Sequence, residues 1–212
     1  MSREQSRVAY LRRRYRGSQA IVDRRERKIV GQYLQGLQQV ETVLDLPSGV
    51  GRFTPQLRRI ASQRLVCGDK WQETLNALEQ AELEQEGTKI ETRAVDLYQS
   101  LPFIRGEFDL VFNFRFFHHI RSVEQREHVA AELARVAARY LIVSYYASAT
   151  VHAWQKRVWN RAGHVRSLPM IPVSVFHNLF IKHEMSVIAD RPILPLLHAH
   201  RIALLERQFA SS

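Results

Sequence analysis

Cysteine is nearly missing from this chain. Cys67 is the single one in 212 residues, which excludes an intrachain disulfide framework and a cysteine-rich zinc site. No apolar run approaches the ~18–20 residues that a bilayer span requires. The opening stretch MSREQSRVAYLRRRYRG is basic, but no apolar segment follows it, so it does not read as a secretory leader. His198 and His200 alternate with Ala199 in an expected strand, and no grouping of Asp, Glu and His has metal-ligand spacing, so no metal is expected. Internal repeats and low-complexity linkers are missing too. The absences suit a soluble cytoplasmic protein, and a 45% hydrophobic content at this length suits one core.

Charge is plentiful and uneven. The net charge is +10, from 31 Lys+Arg against 21 Asp+Glu. Residues 1–28 hold ten basic groups (Arg3, Arg7, Arg12, Arg13, Arg14, Arg16, Arg24, Arg25, Arg27, Lys28) and three acids (Glu4, Asp23, Glu26), a net +7. Such an arm attracts phosphates of nucleic acid, lipid or sugar-phosphate, and it offers peripheral contact with a membrane. A solvated, solubilising segment would have the same composition.

Periodicity supplies the element order. Ser18 is placed to cap a helix with Val22, Ile29, Val30, Tyr33 and Leu37 at helical spacing. Glu41–Leu46 reads as a buried strand ended by Pro47-Ser48-Gly49, and Phe53, Leu57 and Ile60 suit a following helix. Arg64–Gly68 is a second strand. Trp71–Glu86 is a helix with Leu75, Leu78 and Leu83 inward, stopped by Gly87. Ile90–Val95 and Phe108–Phe114 are the third and fourth strands. Ser122 and Gln125 have capping-box spacing at the start of a helix through Val129, Leu133 and Val136. Tyr140–Tyr146 is the fifth strand, and Met185–Ala189 with Arg201–Leu205 read as a closing hairpin. Strands alternating with helices in this way predict an α/β fold whose sheet is mostly parallel. Ligands of such sheets bind at the carboxyl ends of the strands, near the switch in strand order.

The strand ends carry the chemistry. Gly49 and Gly51 follow the first strand, where a turn without Cβ atoms lets a ligand approach the backbone. Thr54 stands where a dinucleotide motif would have its third glycine, which weakens a nicotinamide dehydrogenase reading. Asp69 ends the second strand and can accept from ribose hydroxyls. Trp71 can pack on an adenine face. Asp96 ends the third strand and can accept from an adenine amino group.

In order, VLDLPSGVGRF, GDKW, VDLYQSLPF and FDLVFNFRFFHHI resemble the class I S-adenosylmethionine-dependent methyltransferases, in particular the small-molecule group related to ubiquinone and menaquinone methyltransferases. The resemblance covers about residues 40–146. Pro47 stands where the family usually has the first glycine of G-x-G-x-G, as it does in some members. The resemblance implies a Rossmann-like three-layer sandwich with a seven-stranded, mostly parallel sheet and a last antiparallel hairpin. It implies S-adenosylmethionine as cofactor and S-adenosylhomocysteine as product. Asp45, Pro47, Gly49 and Gly51 would shape the loop around the methionine part. Asp69, with Lys70 beside it, would hold the ribose, and Trp71 would flank the adenine. Asp96 and the Leu97 backbone would read the adenine edge, and Asn113 would lie beneath the methionine moiety.

Methyl transfer aligns nucleophile, methyl and sulfur, and an alcohol or phenol must lose a proton. His118 and His119 are the candidate bases at the end of the fourth strand, although packing of that loop would also use histidines. Arg115 is the candidate partner for an anionic group of the substrate. No Asn/Asp-Pro-Pro-aromatic sequence follows the fourth strand, which disfavours methylation of an exocyclic base nitrogen. The expected organisation is a basic helical segment, 1–38, forming part of a lid, and a methyltransferase domain, 39–212, with a substrate-lid insert at about 147–182. The insert holds His152, Trp154, Trp159 and Phe176 with Lys156, Arg157, Arg161 and Arg166. The expected acceptor is therefore a small molecule, lipid or saccharide, anionic and methylated at oxygen. Methylation of RNA through the basic arm and a non-catalytic Rossmann-like binding protein are the alternatives, and nucleic acid is not favoured because no RNA-binding motif is present.

Overall fold

The computed structural model describes residues 19–83, 85–148, 169–194 and 199–208. Along the chain come α1 (Gln19–Gly36), β1 (Thr42–Asp45), α2 (Thr54–Arg58), β2 (Arg64–Asp69), α3 (Gln72–Glu82) and β3 (Ile90–Ala94). Then follow β4 (Phe108–Asn113), a single 3-10 turn at Phe117–His119, α4 (Val123–Val136), β5 (Ala137–Tyr146), α5 (Val173–Ile181), β6 (Met185–Pro192) and β7 (His200–Arg207).

The seven strands form one sheet in the order β3-β2-β1-β4-β5-β7-β6. The first five run parallel, and β7 enters antiparallel between β5 and β6. Successive side chains of a strand point to opposite faces, and here both faces are covered. Val43, Leu65, Leu110, Phe112 and Ile142 pack towards α1 and α2. Their neighbours Leu44, Val66, Val111, Leu141 and Val143 pack towards α4 and α5. This explains why β1, β2, β4 and β5 read as apolar runs, while β3 at the sheet edge alternates. The result is the three-layer sandwich with a terminal antiparallel hairpin.

Three local departures have physical causes. The helix expected over Trp71–Glu86 ends at Glu82, and Leu83 is exposed. Its buried stripe is Thr74, Leu75 and Leu78, and Leu83 lies about 140° round the helix from Leu78. β5 starts at Ala137, because α4 passes into it with no loop and Ala137 is already extended. Residues 173–181, inside the expected insert, form α5, with Phe176 and Phe180 buried in the core and Phe176 stacked on Tyr145. Ser122 caps α4 as its spacing suggests, accepting from the Gln125 N–H at 3.3 Å.

Several expectations lie outside the described residues. These are the Ser18 cap, the basic groups from Arg3 to Arg16, His198, and the insert's His152, Trp154, Trp159, Lys156, Arg157, Arg161 and Arg166. Among the described residues no helix is long and apolar enough to cross a membrane.

Candidate active site at the carboxyl ends of the strands

Strand order reverses between β1 and β4, so their carboxyl ends diverge and leave a crevice. A cavity of about 450 Å³ opens there, lined from the ends of β1 to β4. Asp45, Pro47, Gly49, Asp69, Lys70, Trp71, Asp96 and Leu97, all expected at a cofactor, line it together.

The loop after β1 is shaped by backbone demands. Gly49 has φ of 58° and a Cβ there would meet open space, so its need is conformational. Gly51 has φ of 78°, and its missing Cβ makes room for Leu78 Cδ1 of α3 and for Thr54 Oγ1. Gly51 is thus a packing glycine behind the loop and does not line the cavity. Asp69 fastens the loop from β2: its carboxylate accepts from the Gly49 N–H at 3.2 Å and from the Trp71 N–H at 3.0 Å. Trp71, 44% exposed, stands at the mouth.

Asp96 lies just past β3. It accepts from Lys70 Nζ at 2.7 Å and from the Tyr98 N–H at 3.1 Å. Burial opposes its charge, but these two donors outweigh burial and hold the carboxyl below its ordinary range. Asp45 behaves oppositely. It is only 2% exposed, and its carboxylate has no hydrogen-bond or ion-pair partner among the described residues. Desolvation, with the nearby Asp69 charge adding to it, pushes its carboxyl well above the usual carboxylate value.

Asn113 does not line the cavity. Fully buried, it donates from Nδ2 to the Leu46 carbonyl at 2.7 Å and ties the end of β4 to the end of β1. The floor is aromatic. Phe53, Phe112 and Phe114 pack with centroids 4.6–5.5 Å apart, and Arg52 lies over Phe53 at 4.6 Å.

The two histidines part company. The 3-10 turn after β4 places His119 exposed on the cavity wall. His118 is 1% exposed and is stacked on Tyr146 with centroids 4.6 Å apart and planes 13° apart. Arg115 lines the wall with φ of 56°, a left-handed conformation unusual for a side chain of that size. Its N–H donates to Ser144 Oγ at 2.6 Å, and its guanidinium is held by Glu26 at 2.6 Å.

Glu26 is the residue that sequence reasoning missed. It is 0% exposed on α1 and gathers three elements. Arg52 of the β1–α2 loop reaches one carboxylate oxygen, while Arg115 (2.6 Å) and His200 Nδ1 of β7 (2.8 Å) reach the other. Asp23, one turn earlier, also accepts from Arg52 at 2.8 Å. Burial disfavours a charge on Glu26, yet the hydrogen bond from His200 and the two guanidiniums hold its carboxyl down at about 2. Burial keeps His200 below its ordinary value, so it serves Glu26 as a neutral donor. A signal was available: Glu26 falls on the apolar stripe of α1 between Val22 and Ile29, and an acid on a core-facing stripe requires partners. Among the described residues no group of His, Cys, Asp and Glu could hold a metal.

Comparison with known proteins agrees with this fold. Residues 43–139 match the family model of a methyltransferase domain. Among solved structures, magnesium protoporphyrin IX methyltransferase from Synechocystis PCC 6803 with bound SAH is 18% identical, with a TM-score of 0.77 over 98% of this chain and 100% of that one. A SAM-dependent methyltransferase from Methanosarcina mazei is 14% identical, with a TM-score of 0.66 over 84% of this chain and 96% of that one. Another from Mesorhizobium loti is 15% identical, with a TM-score of 0.61 over 85% and 97%. At such identities the likeness is one of fold. No curated protein matches the chain significantly in sequence.

Proposed function

We propose that this chain, whose residues 43–139 match a methyltransferase domain, is a class I S-adenosylmethionine-dependent methyltransferase, and that its cavity carries methyl transfer to an oxygen of an anionic small-molecule, lipid or saccharide acceptor. The observation that carries the reading is the convergence of Asp45, Asp69 and Asp96 on one cavity with Trp71 at its mouth. An unpartnered buried acid such as Asp45 suits a cationic ligand, and acids at the ends of β2 and β3 suit hydroxyl and amino donors.

S-adenosylmethionine, when bound, supplies a methyl group on a sulfonium and leaves as S-adenosylhomocysteine. In this reading Asp69, supported by Lys70, holds the ribose hydroxyls, and Trp71 covers the adenine. Asp96 and the Leu97 backbone take the adenine edge. Asp45, with the loop of Pro47 and Gly49, receives the cationic methionine end, while Gly51 and Asn113 hold that loop from behind. His119 takes the acceptor's proton. Arg115, aimed by Glu26, meets the acceptor's anionic group. Of the lid expected from 1–38 and about 147–182, residues 1–18 and 149–168 lie outside the described residues, and α1 and α5 are packed on the domain. The Synechocystis neighbour, whose name gives magnesium protoporphyrin IX as its acceptor, is a small-molecule precedent on the same fold.

Calorimetric titration with S-adenosylmethionine tests the cofactor site. Micromolar binding is expected, with Asp69→Ala weakening it about hundredfold, the effect of losing two charge-assisted hydrogen bonds. A well-folded wild type that gives no binding heat would remove the proposal.

Asp45 adds a pH signature. Its carboxyl is raised, so in the free protein Asp45 takes up a proton at a higher pH than an ordinary carboxyl does, and a cationic ligand would favour the loss of that proton. Affinity therefore rises with pH, by up to about tenfold per unit, until Asp45 ionises unaided. Calorimetry in buffers of different ionisation enthalpy should detect the released proton, and Asp45→Asn should abolish its release. An affinity independent of pH in the wild type would contradict the assignment.

A further inference from the structure

A second concavity, of about 340 Å³, lies between α1 and the β6–β7 hairpin, away from the methyl-transfer cavity. Arg25, Lys28 and Arg191 line it, over an apolar base of Ile29, Pro192 and Ile193. The two acids of α1 are both turned inward: Asp23 accepts from Arg27 and Arg52, and Glu26 is buried on Arg52, Arg115 and His200. The outer face of the helix is thus left with Arg24, Arg25 and Lys28, all exposed. Arg191 donates to the neutral Gln32 at 2.9 Å and lies over the Tyr33 ring. None of Arg25, Lys28 and Arg191 has an ion pair with another described residue.

Ile21, Arg25, Lys28 and Gln32 follow one another at i, i+4, i+7 and i+11, so they form a single stripe. Ile21 is 64% exposed at its upper end. The apolar face of α1 is packed in the core, so its outer stripe offers cations with one exposed aliphatic side chain beside them, which suits contact with an anionic membrane surface rather than insertion into it. Nucleic acid would draw on the same cations but gains little from the exposed aliphatic Ile21, since bases stack on aromatic or guanidinium planes.

We propose that the outer face of α1 and the β6–β7 hairpin dock on an anionic phospholipid surface, with a headgroup phosphate held in the groove of Arg25, Lys28 and Arg191. The phosphate meets three cations, and the exposed Ile21 meets the acyl boundary, with the half-buried Pro192 at the rim of the groove. The proposal is independent of the methyl-transfer reading.

Sedimentation with vesicles of phosphatidylglycerol and phosphatidylcholine tests it on the full chain. Each basic group at an anionic surface strengthens partitioning about fivefold, so Arg25→Gln, Lys28→Gln and Arg191→Gln together should weaken it about hundredfold. Binding should fall with added salt and be absent on pure phosphatidylcholine. The thermal midpoint of the triple variant should match the wild type, which separates lost docking from lost folding; Arg25→Gln with Lys28→Gln, both on the exposed helix face, repeats the test if Arg191 disturbs the hairpin. Equal partitioning of wild type and variants would overturn the proposal. So would binding to RNA or inorganic phosphate without binding to anionic vesicles.

Discussion

Replacing Glu26 by Gln should lower the thermal midpoint by on the order of 10 °C at pH 7. The glutamate is wholly buried and faces Arg52, Arg115 and His200. An amide of the same size cannot offset two guanidiniums, and removing one partner from a buried ionic group costs about 3–5 kcal/mol. In a domain of this size each kcal/mol shifts the midpoint by about 2–4 °C. The pH dependence follows from the same contacts. Glu26 is held at about 2, below its ordinary 4.5, so its stabilisation is complete above 4.5 and is lost as pH falls towards 2. His200 is also lowered, from 6.5, so acid acts against it in the same direction and from a higher pH. The wild type should lose stability steadily below neutrality, and the variant's profile should be flatter between pH 4.5 and 2. Circular dichroism melts across that range measure both. A midpoint within 2 °C of wild type would show that the cluster is structurally idle.

The same cluster marks where sequence reading stops. Order and type of the parallel strands were legible because β1, β2, β4 and β5 carry apolar runs, β3 alternates, and β1, β2 and β3 end at or just before an acid. The acids of the cavity were legible for the same reason: a strand end in a parallel sheet fixes which way its last residues face. Long-range pairing leaves no local trace. Nothing near Arg52 points to a glutamate 26 residues earlier, or to His200 at the far end of the chain, although Glu26 on its apolar stripe announced that partners had to exist. α5 was hidden for another reason, since Val173, Phe176, Leu179 and Phe180 lie in a stretch whose neighbours are basic and aromatic, and the whole stretch read as one insert. Asn113 and Gly51 show a third limit. Both sit in the expected motif, but one is turned to the Leu46 carbonyl and the other to Leu78. Position along a motif places a residue near a ligand, and packing decides whether it faces it.

His119→Ala should lower kcat about 10²–10⁴-fold, the usual contribution of a positioned general base, while S-adenosylmethionine binds as before. The adjacent histidine supplies the internal comparison. Both belong to one 3-10 turn, but that turn sends His119 to the cavity wall and His118 inward, their rings 4.1 Å apart. His118 stacks on Tyr146, whose ring meets that of His200 edge-on at 5.1 Å. A wall of rings therefore runs from His119 on the cavity wall to the Glu26 cluster. His118→Phe, which can keep the stack, should retain most of the turnover that His119→Phe loses. Radiolabelled S-adenosylmethionine, followed into lipid, saccharide and metabolite fractions, reads turnover for each variant. Undiminished turnover in His119→Ala would mean that the acceptor sheds its proton without help from this chain, as an acceptor already ionised in solution would.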